Sequence, residues 1–255
     1  MITPENAVMG AFILCILGAF ITFVTAGNRK LTHGIALFFV LLTAGMVLSA
    51  SVQVLSSGAK EATTYWTLAQ YGFALRIYVD GLSAIFVGLI AIVAICASIY
   101  SVAYMEHYRE YSLRGYYPNF LVFIGAMYGI VCTTDTLFFF FVFWQLMTLA
   151  SFALVRFERN NPEYIRAANR YLVMMQLACG MTLVGAMLLA TTTAEVGKET
   201  LMKYDFDTIS HYLPNLFRER PIIEAFSICR LVKDLTVGLQ RRAMEAPGEP
   251  RPMAR

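Results

Sequence analysis

Leu82–Tyr104 reads LSAIFVGLIAIVAICASIYSVAY, with no charged residue from end to end. A bilayer hydrocarbon core is about 30 Å thick, and a helix needs about 20 apolar residues to cross it. No water is available at that depth. The backbone must bond to itself, and a helix does so within one segment. This stretch therefore predicts a membrane-spanning helix. Five more follow the same pattern, at about Ala7–Ala26, Gly34–Leu55, Tyr117–Thr133, Leu137–Val155 and Tyr171–Thr191. The predicted fold is an all-α membrane protein, a polytopic bundle of six helices with a possible seventh.

Composition supports this reading. The chain is 58% hydrophobic and 15% charged, against about 25% charged in soluble domains. Net charge is +3, too small to argue for nucleic acid, and no basic, aromatic-interleaved patch supports that partner. Glu5 stands in the first six residues without a Lys or Arg. That does not fit a cleavable leader, so the first apolar run is expected to stay as a helix.

The segments between the spans carry orientation. Lys and Arg accumulate in short loops on the cytoplasmic side. Arg29, Lys30, Arg109, Arg114, Arg156, Arg159, Arg166 and Arg170 follow spans 1, 3 and 5. Only Lys60 and Arg76 follow spans 2 and 4. The asymmetry predicts an outer N-terminus in the cell inner (cytoplasmic) membrane, with charged, solvated loops at Glu106–Arg114 and Arg156–Arg170. Between spans 2 and 3, Tyr65–Val79 alternates in part and is rich in aromatic and β-branched residues, which predicts a short extramembrane hairpin.

Residues 1–194 are read as the bundle, 195–220 as a polar, partly amphipathic connection, and 221–255 as a possible seventh helix with a disordered charged tail. Pro221–Leu239 contains Glu224, Arg230, Lys233 and Asp234. Each charge costs about 2.5–3.5 kcal/mol at a bilayer centre. The stretch spans only if those charges pair or meet partner helices. Lys233 is a proton-relay candidate if it enters the bilayer and a surface residue if it does not.

No cofactor is expected. Five cysteines, Cys15, Cys96, Cys132, Cys179 and Cys229, lie on separate segments with no CxxC pair, and iron–sulfur and zinc sites need closely spaced thiolates. His33, His107 and His211 are scattered and make no metal set. No nucleotide-binding glycine motif occurs.

Polar groups inside spans are the informative ones. Gln145 lies mid-span behind the aromatic run Phe138–Trp144, with Thr148 one turn on, and Gln176 is its counterpart on the sixth span. These three are ion-path candidates. The alternative is that the glutamines only join helices, worth on the order of 0.6 kcal/mol per bond. Asp80 and Asp135, each just before an apolar run, read as helix caps.

Several short pieces occur in a fixed order: Asp80-Gly81-Leu82-Ser83, Tyr100-Ser101 through Tyr104-Met105, Trp144-Gln145-Leu146-Met147, Asn161-Pro162-Glu163, and Ala167-Ala168-Asn169-Arg170-Tyr171. Together they resemble the antiporter-like, proton-translocating membrane subunits of NADH–quinone oxidoreductase (complex I), of membrane-bound hydrogenases and of cation antiporter complexes. The resemblance covers roughly residues 75–190. The Trp-x-Leu-Met-Thr-Leu-Ala-Ser run looks most like the hydrogenase branch.

The resemblance implies a non-redox subunit of a redox-driven proton or sodium translocating complex, partnered by other membrane subunits of a respiratory or hydrogenase complex and by the bilayer. It further implies a glutamate on the fifth helix, beside the tryptophan, paired with a lysine on a broken seventh helix. Here Gln145 holds the glutamate's place, and Lys233 stands where the lysine would. A glutamine can hold water but cannot bind and release a proton at accessible pH. The implied role is a contribution to a half-channel, without competence alone. A structural subunit that moves no ions is the competing expectation. A small-molecule transporter would want broken helices in inverted repeats, and neither is visible.

Overall fold

The computed structural model describes residues 3–59, 61–68, 73–158 and 160–196, with side chains to residue 187. Lys233, the 221–239 segment, the tail and nearly all of the 195–220 connection lie outside the described residues. Among the described residues there are six α-helices: α1 (Pro4–Thr25), α2 (Arg29–Ser57), α3 (Gly81–His107), α4 (Tyr117–Cys132), α5 (Phe138–Val155) and α6 (Pro162–Val196). Each is long and apolar enough to cross a membrane, α4 together with the 3-10 turn at Leu113–Gly115 that leads into it. Strands β1 (Thr63–Leu68) and β2 (Phe73–Ile77) form the hairpin between α2 and α3. The protein is a polytopic α-helical membrane protein.

Its exterior is what a bilayer requires. Phe20, Phe23, Phe38, Leu82, Ile85, Ile92 and Ile99 all face outward. In lipid no hydrophobic force drives helices together, so packing relies on close approach through small residues. Helix α1 fits this, burying Ala7, Ala11, Cys15, Gly18 and Ala19 along its length. It lies between α2 and α4; α3 packs mainly on α2, α5 on α4, and α6 on α5. A Cβ at Gly18 would sit 2.7 Å from the Phe39 ring, and one at Gly125 would sit 2.8 Å from Cys15 Cβ.

Gly129 is the tightest of these approaches. A Cβ there would land on the ring of Phe143, a residue fixed in α5. Overpacking a well-packed contact typically costs about 1–3 kcal/mol. Gly129→Ala is therefore expected to lower thermal stability in detergent by about that amount. A variant as stable as the native protein would show that α5 can slide away from α4 at no cost.

Helix ends are set by local chemistry. Thr3 Oγ1 accepts from Asn6 N at 3.4 Å, with Pro4 in the first turn of α1. Asn28 Oδ1 accepts from Leu31 N at 3.4 Å, and Asp80 Oδ1 from Ser83 N at 2.7 Å. Helix α2 stops at Gly58, whose φ of +83° suits a residue without Cβ.

The hairpin is antiparallel, pairing Thr63 with Ile77 and Leu68 with Phe73, with an irregularity between Thr64 and Trp66. It sits on the α4–α5 connection. Tyr78 N donates to Cys132 O at 2.9 Å, and Thr134 N donates to Arg76 O at 3.1 Å. Trp66 meets Phe139 edge-on, and Phe73 stacks on Phe138.

Two expected loops are shorter than read. Helix α6 begins at Pro162, so Arg166 and Arg170 are helical and not in a loop. Proline at a first helical position costs no hydrogen bond, and Asn161 Oδ1 accepts from Glu163 N at 3.0 Å. In the Glu106–Arg114 loop, α3 continues through His107, and a 3-10 turn at Leu113–Gly115 buries Leu113.

Candidate functional site

Polar side chains of two consecutive apolar spans meet at the α5–α6 seam. Gln145 Nε2 donates to Gln176 Oε1 at 3.0 Å. That leaves Gln145 Oε1 buried without a partner, and Trp144 Nε1 and Thr148 Oγ1 are in the same condition. Thr148 is 0% exposed. One turn further, Ser151 Oγ lies 2.7 Å from Tyr171 Oη and donates to Thr148 O at 2.9 Å. Two glutamines and two hydroxyls thus meet across the seam, and three polar atoms on this stretch of α5 are unmatched. An unmatched buried donor or acceptor costs about 1–3 kcal/mol. The atoms present offer both donors and acceptors and no carboxylate, which suits a hydrogen-bonded chain of water better than a metal ion. Among the described residues no group of three His, Cys, Asp or Glu side chains could hold a metal.

Asp135 occupies the hairpin end and is 3% exposed. Its Oδ1 accepts from Leu137 N, Phe138 N and Phe139 N at 3.1, 2.6 and 3.1 Å, and its Oδ2 accepts from Ala74 N at 3.3 Å. Burial pushes the carboxyl up from its ordinary value, and these four N–H bonds pull it part of the way back. The same side chain therefore starts α5 and anchors β2. The structure brings Gln145, Gln176 and Thr148 to one seam. Asp80 and Asp135 lie at the hairpin end.

Two buried polar residues, Glu5 and His33, and the half-buried Arg29 have partners that the sequence reading did not show. Glu5, in the first turn of α1, is 1% exposed, with Oε1 unpartnered. Beside it Tyr65 Oη donates to Asn6 Oδ1 at 2.6 Å, and burial, then the charge of Glu5, raise the Tyr65 hydroxyl. At the opposite end, His33 Nδ1 lies 2.5 Å from Tyr117 Oη. Arg29 does not face outward to headgroups. Its Nη2 donates to Met105 O at 2.7 Å and Tyr108 O at 3.3 Å, and its Nη1 to Arg109 O at 3.1 Å and Tyr111 O at 3.2 Å. The available signal was helical periodicity, which places Arg29, His33, Ala36 and Val40 along one side of α2. The partners are too far along the chain to be read.

Residues 66–113 match the family model of the N-terminus of chain 5 of NADH-ubiquinone oxidoreductase (complex I). Residues 134–229 match that of the NADH:quinone oxidoreductase/Mrp antiporter transmembrane region. The two stretches take in more than half of the chain and include α3, α5 and α6. The chain belongs to the antiporter-like membrane subunits of the complex I family. Its match is to their N-terminal part. The matched region ends at Cys229, short of Lys233.

The sequence is 34% identical over 164 residues to an Na(+)/H(+) antiporter subunit of Alkalihalophilus pseudofirmus, covering 62% of this chain and 19% of that protein. It is 28% identical over 179 residues to an Na(+)/H(+) antiporter subunit of Staphylococcus aureus, covering 70% and 21%. The chain thus spans about a fifth of the length of these relatives. The fold is shared with a chain of the Mrp complex from Dietzia sp. DQ12-45-1b (TM-score 0.58, 21% identity, 73% of this chain and 20% of that one). It is also shared with a chain of an archaeal membrane-bound sulfane sulfur reductase (TM-score 0.52, 18% identity, 89% and 33%).

Proposed function

We propose that this antiporter-like subunit contributes a polar station to the ion path of a multi-subunit membrane complex, with the α5–α6 seam as that station. The observation that carries the reading is the Gln145–Gln176 bond, with Gln145 Oε1 unmatched in it and Trp144 Nε1 and Thr148 Oγ1 unmatched on the same stretch of α5. A bond that served only to join helices would leave fewer buried polar atoms unsatisfied, because each one works against stability. Held water would satisfy them and give a proton a route through an otherwise apolar span. The antiporter names of the relatives support ion movement. The multi-subunit Mrp and sulfane sulfur reductase complexes support other membrane subunits as partners. The ion is a proton or sodium, and the subunit supplies part of a half-channel without translocating alone. It lies in the cell membrane with its N-terminus outside, as the Lys and Arg asymmetry predicts.

The test is ion transport by the intact complex in vesicles, comparing native protein with Gln145→Leu and Gln145→Glu. Leucine removes the amide and dries the seam, and transport is expected to fall about tenfold, equivalent to about 1.4 kcal/mol on the barrier. Glutamate keeps a hydrated polar group and should retain transport. If both variants transport like the native protein, the station is not at Gln145. If in that case the leucine variant also dissociates from its partners in detergent, the structural role is the correct one.

A further inference from the structure

A second polar cluster lies at the charged-loop end of α2, α3 and α4. His33 and Tyr117 fall outside both family-matched stretches. His33 is 6% exposed and meets the Tyr117 ring edge-on, 5.2 Å between centroids. Its Nδ1 lies 2.5 Å from Tyr117 Oη, and Ser101 Oγ lies 3.5 Å from the same oxygen. Ser101 in turn donates to Ser98 O at 2.7 Å. The other ring nitrogen, Nε2, is buried with no hydrogen-bond partner among the described residues.

We propose that His33, Tyr117 and Ser101 form a proton-binding site, in which the imidazole takes up one proton from water at Nε2. The bonding on the Nδ1 side allows this without rearrangement, and the new Nε2–H, which has no acceptor among the described residues, takes a water as its acceptor. A neutral imidazole has one N–H and one lone pair. With the hydrogen on Nδ1 and Tyr117 Oη accepting it, the lone pair sits on Nε2, the unmatched atom. Uptake there gives an imidazolium whose Nδ1–H keeps its acceptor. Hydroxyl hydrogens rotate to suit, so the Tyr117 hydroxyl can turn toward Ser101 Oγ while Ser101 keeps its bond to Ser98 O. Every donor on that side then has an acceptor, and the chain ends on a backbone carbonyl.

Charged groups reach this site from two neighbouring elements. Arg29 on α2 and Glu106 on α3 both act electrostatically on the imidazole. Glu106 is at the surface, 2.6 Å from Arg109 Nη2. Tyr116, just before α4, meets the Tyr117 ring edge-on and stacks on Phe120. Arg114 lies over the Phe23 ring of α1. The remaining buried packing at this end is Ala26, Ala36, Met105, Leu113 and Tyr117. The site does not depend on the Gln145 reading, because proton binding is measured without transport.

The chain has three histidines. Replacing His107 and His211 with Gln leaves His33 as the sole imidazole and the cluster untouched. The full chain, labelled with nitrogen-15 at histidine and placed in lipid nanodiscs, would then be titrated by NMR. The two ring-nitrogen signals should pass from a neutral to an imidazolium pattern with one midpoint between about pH 5 and 8. Tyr117→Phe, which removes the Nδ1–H acceptor, should lower that midpoint by about half a pH unit or more, and Ser101→Ala by less. A His33 that stays neutral across this range overturns the proposal, as does a midpoint that ignores Tyr117→Phe.

Discussion

Replacing Asp135 with alanine should destabilise the protein by about 3–5 kcal/mol, a large loss for one side chain, and should free the hairpin from the bundle. Asp135 accepts four backbone N–H bonds, three from the first turn of α5 and one from β2. The amides of Ala74, Leu137 and Phe139 are buried where the bond is made. Each buried donor stripped of its acceptor costs about 1–3 kcal/mol, and the start of α5 also loses a negative charge beside its positive dipole end. Alanine offers no replacement acceptor.

Asparagine separates the two jobs of this side chain. Its single oxygen can serve the three α5 amides. Its NH2 group would then face the Ala74 N–H, donor against donor. Asp135→Asn should therefore cost about 1–2 kcal/mol and loosen β2 while leaving α5 in place. Thermal unfolding in detergent gives the first quantity. Tryptic cleavage after Arg76 in β2, and the emission of Trp66, which packs on Phe139, report the second. An alanine variant that unfolds with the native protein and resists trypsin equally would remove Asp135 from any structural role.

The spans were legible because the solvent is lipid. A charge-free run long enough to cross a bilayer has one stable backbone arrangement, and all six such runs form helices. Ends were less legible. Hydropathy marks where lipid stops, not where a helix stops, so the charged first turns of α6 read as loop. Asn161-Pro162-Glu163 carried the missing signal, a side-chain acceptor followed by a proline that needs no donor. The same division governs the polar residues. Asp80 and Ser83 meet within one turn, a distance a sequence can express. The Asp135–Ala74 bond joins residues 61 apart, and His33 and Tyr117 are 84 apart. Such pairs depend on which helices become neighbours, and no spacing rule states that. Gln145 and Gln176 lie 31 apart, but they belong to consecutive spans joined by a short connection. Antiparallel neighbours of that kind bring mid-span residues level with one another.

Arg29→Ala should cost about 2–4 kcal/mol, the second large effect, and should be felt on α3 rather than on α2, where the residue sits. The last carbonyls of a helix have no partner within it and carry the negative end of its dipole. One guanidinium from another helix serves this end: its Nη2 donates to Met105 O in the last turn of α3 and to Tyr108 O just past it, and its Nη1 donates to Arg109 O and Tyr111 O in the loop that follows. The planar fork reaches four carbonyls at once. A lysine ammonium has three donors on a flexible stem and cannot match that geometry, so Arg29→Lys should recover about half of the loss. The location of the damage is the sharper test. Hydrogen exchange should quicken in residues 105–111 while α2 beyond its first turn stays protected. His33, one turn along α2, would lose its fixed distance to Tyr117 as the end of α3 frays, and its titration should shift with it. Faster exchange spread evenly over all six helices would show that Arg29 acts on the bundle as a whole and not on this helix end.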